Sequence, residues 1–202
     1  MNVDNLLRAA GVRRWHTEPQ VGTPETVAHH SALVSLLADE LSQDEDQMTG
    51  QERYYLLREC LRHDMGEYWT GDLPAPAKHA FPSNLLDALD SVEAAQRLKA
   101  FGYADTPLLD VQTALLHLAD TLAAAVHCAQ QGLLGNREGA RILKILVEYT
   151  STQMKSTPLR LSTQIKALRL LRECAMITDS DMALIRINCL EATVCGKSNE
   201  LP

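Results

Sequence analysis

The sequence predicts an all-α protein, a single helical bundle of about seven to nine helices. Three observations carry this expectation. Apolar residues recur at three- and four-residue steps through most of the chain, no segment alternates with period two long enough to build a sheet, and Gly or Pro interrupts the periodic stretches at helix-like intervals. The 202 residues are enough for one compact domain and too few for two comfortable ones.

The elements follow in order. Residues 4–10 predict a short helix that Gly11 ends, because glycine accepts the left-handed conformation after a helix. Residues 25–42 predict a longer one, with Val27, His30, Val34, Leu37 and Leu41 on one stripe. Residues 51–66 continue the pattern through Tyr54, Leu57, Leu61 and Asp64, and Gly71, Pro74 and Pro76 then predict a loop. A helix from Ser83 to Phe101 has Ser83 as its cap and Gly102 as its stop. Residues 107–131 are apolar or small on almost every side, the mark of a helix buried within a bundle. Residues 137–154, 159–176 and 180–193 predict three more amphipathic helices. With no repeat or linker in sight, the chain 1–202 reads as one domain, its motif-bearing core at about 12–130 and a helical extension at about 136–194.

Composition narrows the function. Apolar residues at 46% and charged residues at 22% exclude wholesale disorder. A net charge of -7 argues against a polymeric nucleic-acid partner, although a local cation cluster or a metal can still hold a small anion. The five cysteines (Cys60, Cys128, Cys174, Cys189 and Cys195) show no paired short spacing, which predicts free thiols in a reducing compartment. Neither an apolar signal core nor a run of about 18 apolar residues occurs, so the expectation is a cytoplasmic protein with no membrane partner.

Some polar residues stand where a core face should continue. His30, Asp64 beside His63, and Asp120 each interrupt an apolar helix face. Burying an unpaired carboxylate costs several kcal/mol or forces its pKa upward. Any one of them is explained by an arginine or a backbone carbonyl. Two imidazoles and two carboxylates together suit a divalent metal, which supplies the missing counter-charge for both aspartates. Glu67, four residues after His63, shares that face if the helix continues; spacing alone slightly favours a solvated helix-end glutamate.

The order His30, His63-Asp64, Asp120 resembles the HD-domain metal-dependent phosphohydrolases. The words "RRWHTEPQVGTPETVAHHS", "RHDMGEYWTGDLPAPAKH" and "HLADTLAAAV" are similar to the branch of bacterial 5′-deoxynucleotidases and phage deoxynucleoside triphosphohydrolases, over roughly residues 12–130. The resemblance implies that His30, His63, Asp64 and Asp120 ligate a divalent ion (cobalt, zinc, manganese or magnesium). The family pattern has Glu-His-Ser at the first ligand where this chain has His29-His30-Ser31. His30 is preferred because it precedes Ser31 and lies on the apolar stripe, whereas His29 points about 100° away.

By the same resemblance Glu67 orients water or carries a proton, and Asp72 meets the sugar hydroxyl with Thr70 beside it. Arg14 binds phosphate, Trp15 walls the sugar and base, and Lys78, with His79, holds a longer phosphate chain. The bland readings are a surface charge for Arg14, core packing for Trp15, a turn for Asp72 and a solvated lysine for Lys78. His117 is an ordinary helix histidine or a support for Asp120.

Two activities compete. The "RRWHT" wording favours a phage-type dATP triphosphohydrolase that releases deoxyadenosine and depletes dATP, and the alternative removes the 5′-phosphate from deoxynucleoside monophosphates. A non-catalytic nucleotide-binding regulatory module and a plain helical scaffold rank below both. Helix faces beyond residue 135 suggest a homo-oligomer, a dimer or a hexamer.

Overall fold

A computed structural model describes residues 3–73, 78, 80–102 and 104–196. Helices account for the regular structure of these residues, and their one β contact is an isolated antiparallel bridge between Arg13 and Thr26. Pro74, Pro76 and His79 lie outside the described residues.

Helix α1 spans Val3–Ala10. It ends at Gly11, whose N–H donates to Leu7 O at 3.1 Å and Arg8 O at 3.2 Å. The expected left-handed stop is not used there, since Gly11 is absent from the positive-φ glycines. Helix α2 spans Val27–Ser42, and the Thr26 hydroxyl caps it by accepting from the His29 N–H. The predicted stripe holds, with Val27, His30, Val34 and Leu41 buried and Leu37 half-buried.

Helix α3, Gly50–Cys60, opens on a capping box between Thr49 and Glu52. The helix expected over 51–66 breaks here. A 3-10 turn, His63–Gly66, follows, and then a one-turn helix α4, Glu67–Thr70. Tyr54 and Leu61 of the expected stripe are 57% and 51% exposed, while Leu56, Glu59 and Cys60 face inward. The break has a local cause: the His63 imidazole takes the Cys60 carbonyl at 2.8 Å, the acceptor that a continuing helix gives to the N–H of residue 64.

Helix α5 runs Ser83–Phe101. Pro82, not Ser83, occupies the cap position and supplies no side-chain bond, whereas Gly102 does adopt the left-handed stop at φ 74°. Helix α6 spans Asp110–Leu133, α7 Glu138–Lys155, α8 Leu161–Ile177 and α9 Asp181–Gly196. The expected start of α6 at residue 107 moves to 110, where the Gln112 side chain accepts from the Leu109 N–H.

Helix α6 is the axis of the bundle, packed against α2, α7 and α8. Leu115, Leu118, Leu122 and Ala123 join Val34, Leu56, Leu143, Leu168 and Ile187 in the main core. Emptying any one of the leucine sites to alanine costs about 2–5 kcal/mol. A smaller cluster of Ala9, Val27, Met65 and Phe101 sits under the 3-10 turn and ties α1, α2 and α5 to it. No helix among the described residues is long and apolar enough to cross a membrane. The cysteines are free, three buried and two exposed.

Candidate metal centre and nucleotide site

Three elements bring the awkward polar residues together. His30 comes from the buried stripe of α2, His63 and Asp64 from the 3-10 turn, and Asp120 from the middle of α6. One ligand atom each from His30, His63 and Asp120 lie within 4.8 Å of one another. His30 Nε2 is 2.8 Å from Asp120 Oδ1, and His63 Nε2 is 4.0 Å from the same oxygen. Asp64 stands beside this trio, 3.6 Å from His30 Nε2 and 3.2 Å from His63 Nε2, and also meets the Arg14 guanidinium. His29 is exposed and outside the group.

The donor set fits a divalent ion. His63 donates its Nδ1 proton to Cys60 O, which in the neutral ring leaves the lone pair on Nε2 for an ion, on the side where the Asp64 and Asp120 oxygens stand. Two imidazoles with one or two carboxylates match the preferences of zinc, cobalt or manganese. Burial alone lowers the His63 pKa, but the Asp64 and Asp120 carboxylates outweigh it and raise it to about 9. Burial works the other way on Asp64, and His63, Arg14 and His30 nonetheless hold it well below the usual carboxylate range.

A second ring of residues surrounds this centre. Arg14 Nη1 lies 3.9 Å from Glu67 Oε2 and 4.0 Å from Asp72 Oδ1, and its Nε is 3.5 Å from Glu25 Oε2. Glu67 is buried at 2% exposure. That burial, with Asp64 and Asp72 close by, pushes its pKa up to about 8 despite Arg14 and Lys78. Lys78 Nζ reaches to 3.7 Å from Glu67 Oε1. Asp72 Oδ2 accepts from the Trp15 backbone N–H at 3.1 Å. Arg14, Trp15, Glu67, Asp72 and Lys78 therefore converge. Thr70 does not: its hydroxyl donates to Glu93 Oε1 at 2.6 Å, on α5.

Three contributors were not expected. Glu25, buried, accepts from the Trp15 indole N–H at 2.7 Å. His127 stacks on that indole, ring centroids 5.2 Å apart and planes 8° from parallel. Burial lowers its pKa, which keeps it neutral beside Arg14. Arg97 of α5 donates to His63 O at 3.2 Å, bracing the turn from outside. His127 follows Asp120 by seven residues, a helical repeat that marks it for the same face of α6. Glu25 and Arg97 carry no such signal. His117 is exposed and supports nothing at Asp120.

A helical bundle that gathers His, His-Asp and Asp from three helical elements around one point is an HD-domain phosphohydrolase. The comparisons with known proteins agree with that class and refine it. The chain belongs to the 5′-deoxynucleotidase YfbR-like family, whose model matches residues 3–159. It is 28% identical over 151 residues to 5′-deoxynucleotidase YfbR of Escherichia coli, in strain K12 / DH10B and in O157:H7 alike, covering 66% of this chain and 74% of the relative. Among solved structures, the cyanophage S-2L HD phosphohydrolase DatZ, bound to dA and one catalytic Zn2+ ion, superposes with a TM-score of 0.66. That likeness covers 89% of this chain and 98% of the other at 19% identity, and it speaks for the fold.

Proposed function

We propose that the chain hydrolyses deoxynucleotides at the phosphorus attached to the 5′ oxygen, using a divalent ion held by His30, His63 and Asp120 with Asp64 at its edge. The observation that carries this reading is the convergence of the three ligand atoms within 4.8 Å, with the buried His63 Nε2 facing the Asp64 and Asp120 oxygens at 3.2 and 4.0 Å. The family, and the zinc and deoxyadenosine in the DatZ neighbour's description, support it.

A bound ion supplies Lewis acidity toward the phosphoryl oxygens and a more acidic water. The chain's own residues do the rest. Arg14 offers a planar fork to phosphate oxygens and Trp15 a wall to the sugar and base. Asp72 already bonds the Trp15 backbone, so the sugar-contacting carboxylate and the wall move as a unit. Glu67, buried beside Asp64 and Asp72, is placed to orient the attacking water or to carry a proton. Lys78, 40% exposed, reaches Glu67 from the solvent side and could hold a further phosphate. We assign Thr70 a supporting part, fixing the α4 terminus to α5 through Glu93.

Of the two activities weighed, removal of a single 5′-phosphate is the better fit. Five carboxylates (Glu25, Asp64, Glu67, Asp72 and Asp120) stand around two described cations, Arg14 and Lys78. A divalent ion brings that set close to neutrality and leaves no positive surplus for the further charges of a triphosphate. The triphosphohydrolase acting on dATP stands second, favoured by the extent of the fold shared with DatZ.

The test is a panel of dAMP, dATP and their ribose counterparts with Zn2+, Co2+, Mn2+ or Mg2+, products separated by chromatography. We expect inorganic phosphate from dAMP. Inorganic triphosphate from dATP selects the second reading, and no turnover of any deoxynucleotide overturns both. We also expect self-association, as a dimer or a hexamer, through exposed apolar side chains such as Ile145, Tyr149, Met182 and Ile185; light scattering reads it.

A further inference from the structure

Trp15 holds a backbone conformation that a bulky residue avoids, φ 59°. Left-handed non-glycine residues cost about 1–3 kcal/mol and persist where their surroundings over-determine them. The surroundings here do so. The Trp15 N–H donates to Asp72, its carbonyl and that of Arg14 accept from the Gln20 amide, and its indole N–H donates to Glu25. One face of the ring is covered by the nearly parallel imidazole of His127.

We propose that Glu25 and His127 are positioning residues, a two-sided clamp that fixes the angle of the Trp15 indole and thereby the selectivity of the site for a deoxyribose substrate. The selectivity half rests on the deoxynucleotide reading above; the clamp itself rests on geometry alone. Glu25 grips the indole edge at 2.7 Å and His127 backs its face, and the two jaws meet at 3.9 Å. Both are almost fully buried, at 8% and 6% exposure, so neither is a solvated surface group. Glu25 Oε2 also lies 3.5 Å from Arg14 Nε, which couples the wall to the phosphate-binding cation.

The clamp is mounted on the rigid part of the molecule. One helical turn beyond His127 on α6, Gln131 takes the Val21 N–H at 2.8 Å and donates to Val21 O at 3.1 Å. Asn136, in the connection to α7, donates to Pro19 O at 2.7 Å. The loop carrying Arg14 and Trp15 is thus pinned at Val21 to the central helix that supplies Asp120, and at Pro19 to the connection that follows it. A wall fixed this way tolerates little rotation, and a misplacement near 1 Å at such a site costs up to about a hundredfold.

The experiment uses the full chain with Trp69→Phe, so that Trp15 is its one tryptophan. Emission maximum and acrylamide quenching report the indole; kcat and KM for dAMP and AMP report selectivity. For Glu25→Ala and His127→Ala we expect red-shifted emission and greater quenching. We also expect a KM for dAMP raised about tenfold with kcat within about twofold, and a reduced preference for the deoxyribose form. Glu25→Gln, which keeps an acceptor for the indole, and His127→Phe, which keeps a flat ring, are expected to restore parental behaviour. Glu25→Met and His127→Leu preserve bulk and carry the same test where an alanine variant does not fold. Parental spectra and KM in the clamp-breaking variants overturn the proposal, as does a Glu25→Gln variant as impaired as Glu25→Ala. A parent that turns over no deoxynucleotide defeats the proposed function, and the spectral comparison still decides the clamp.

Discussion

At the scale of single residues, the proposed site has two kinds of group, those that would hold an ion and one that would carry a proton. Glu67 is the second kind, buried beside Asp64 and Asp72 rather than among the imidazoles. Glu67→Gln is therefore expected to retain its full metal content and lose about 10²–10⁴ in kcat, measured by elemental analysis and steady-state kinetics on one preparation. The pKa values of His63 and Glu67 also set a pH dependence for protein stripped of its ion. Both lie above their ordinary values, at about 9 and about 8, while burial lowers His127, so these groups together leave the folded chain with more bound protons than the unfolded one between roughly pH 6.5 and 9, where His127 is neutral in both states. Stability of the chelated protein is expected to fall as pH rises through that window, read from urea midpoints. A midpoint that climbs instead contradicts the environments described for both groups.

The residues legible in the sequence were those whose type conflicted with their helical position. His30 and Asp120 are conspicuous because a 3.6-residue period demands something apolar there. Glu25 is not, since its partner is an indole reached only when the chain folds back and pairs Arg13 with Thr26. His127 had the period to betray it, seven residues past Asp120, but an imidazole on a helix is commonly just packed.

At the scale of elements, the decisive feature is the break after Cys60. Periodicity predicted an unbroken helix through residue 66, because Tyr54, Leu57, Leu61 and Asp64 keep helical spacing. What interrupts it is a side chain, His63, competing for a backbone carbonyl, together with the close approach of α5. Neither leaves a mark in the spacing of apolar residues. A Cβ on Gly66 would lie 2.6 Å from Glu93 Cβ and 2.9 Å from Arg97 Nη1, with the α5 backbone 3.1 Å behind. Gly66→Ala is expected to cost about 1–3 kcal/mol and to weaken metal retention by shifting the turn. At Gly139, where α7 crosses α6, a Cβ meets the Cys128 carbonyl oxygen at 2.5 Å. Backbone cannot swing aside, so Gly139→Ala is expected to lower the melting temperature more than Gly66→Ala, while its effect on metal retention is smaller. Calorimetry with elemental analysis separates the two.

At the scale of the whole molecule, the proposed ion would be a cross-link. The ligands come from α2, the 3-10 turn and α6, elements far apart in sequence that the main core and the small cluster under the turn hold together. Binding to the folded state alone stabilises it by about 2.7 kcal/mol at a hundred times Kd. For a chain of this size that is roughly 5–10 °C of melting temperature, expected to vanish on chelation and return with zinc. The bundle itself was legible from the sequence because its helices are strongly amphipathic, and α6 because it is apolar almost all round. How the helices converge was not, since periodicity gives each face but not which faces meet.

Whether one ion joins the three elements is decided by anomalous diffraction from crystals grown with zinc. One peak is expected, at about 2.0–2.2 Å from His30 Nε2, His63 Nε2 and an Asp120 oxygen. Ordered side chains at these positions with no peak among them, at a zinc concentration that loads the protein elsewhere, would contradict it.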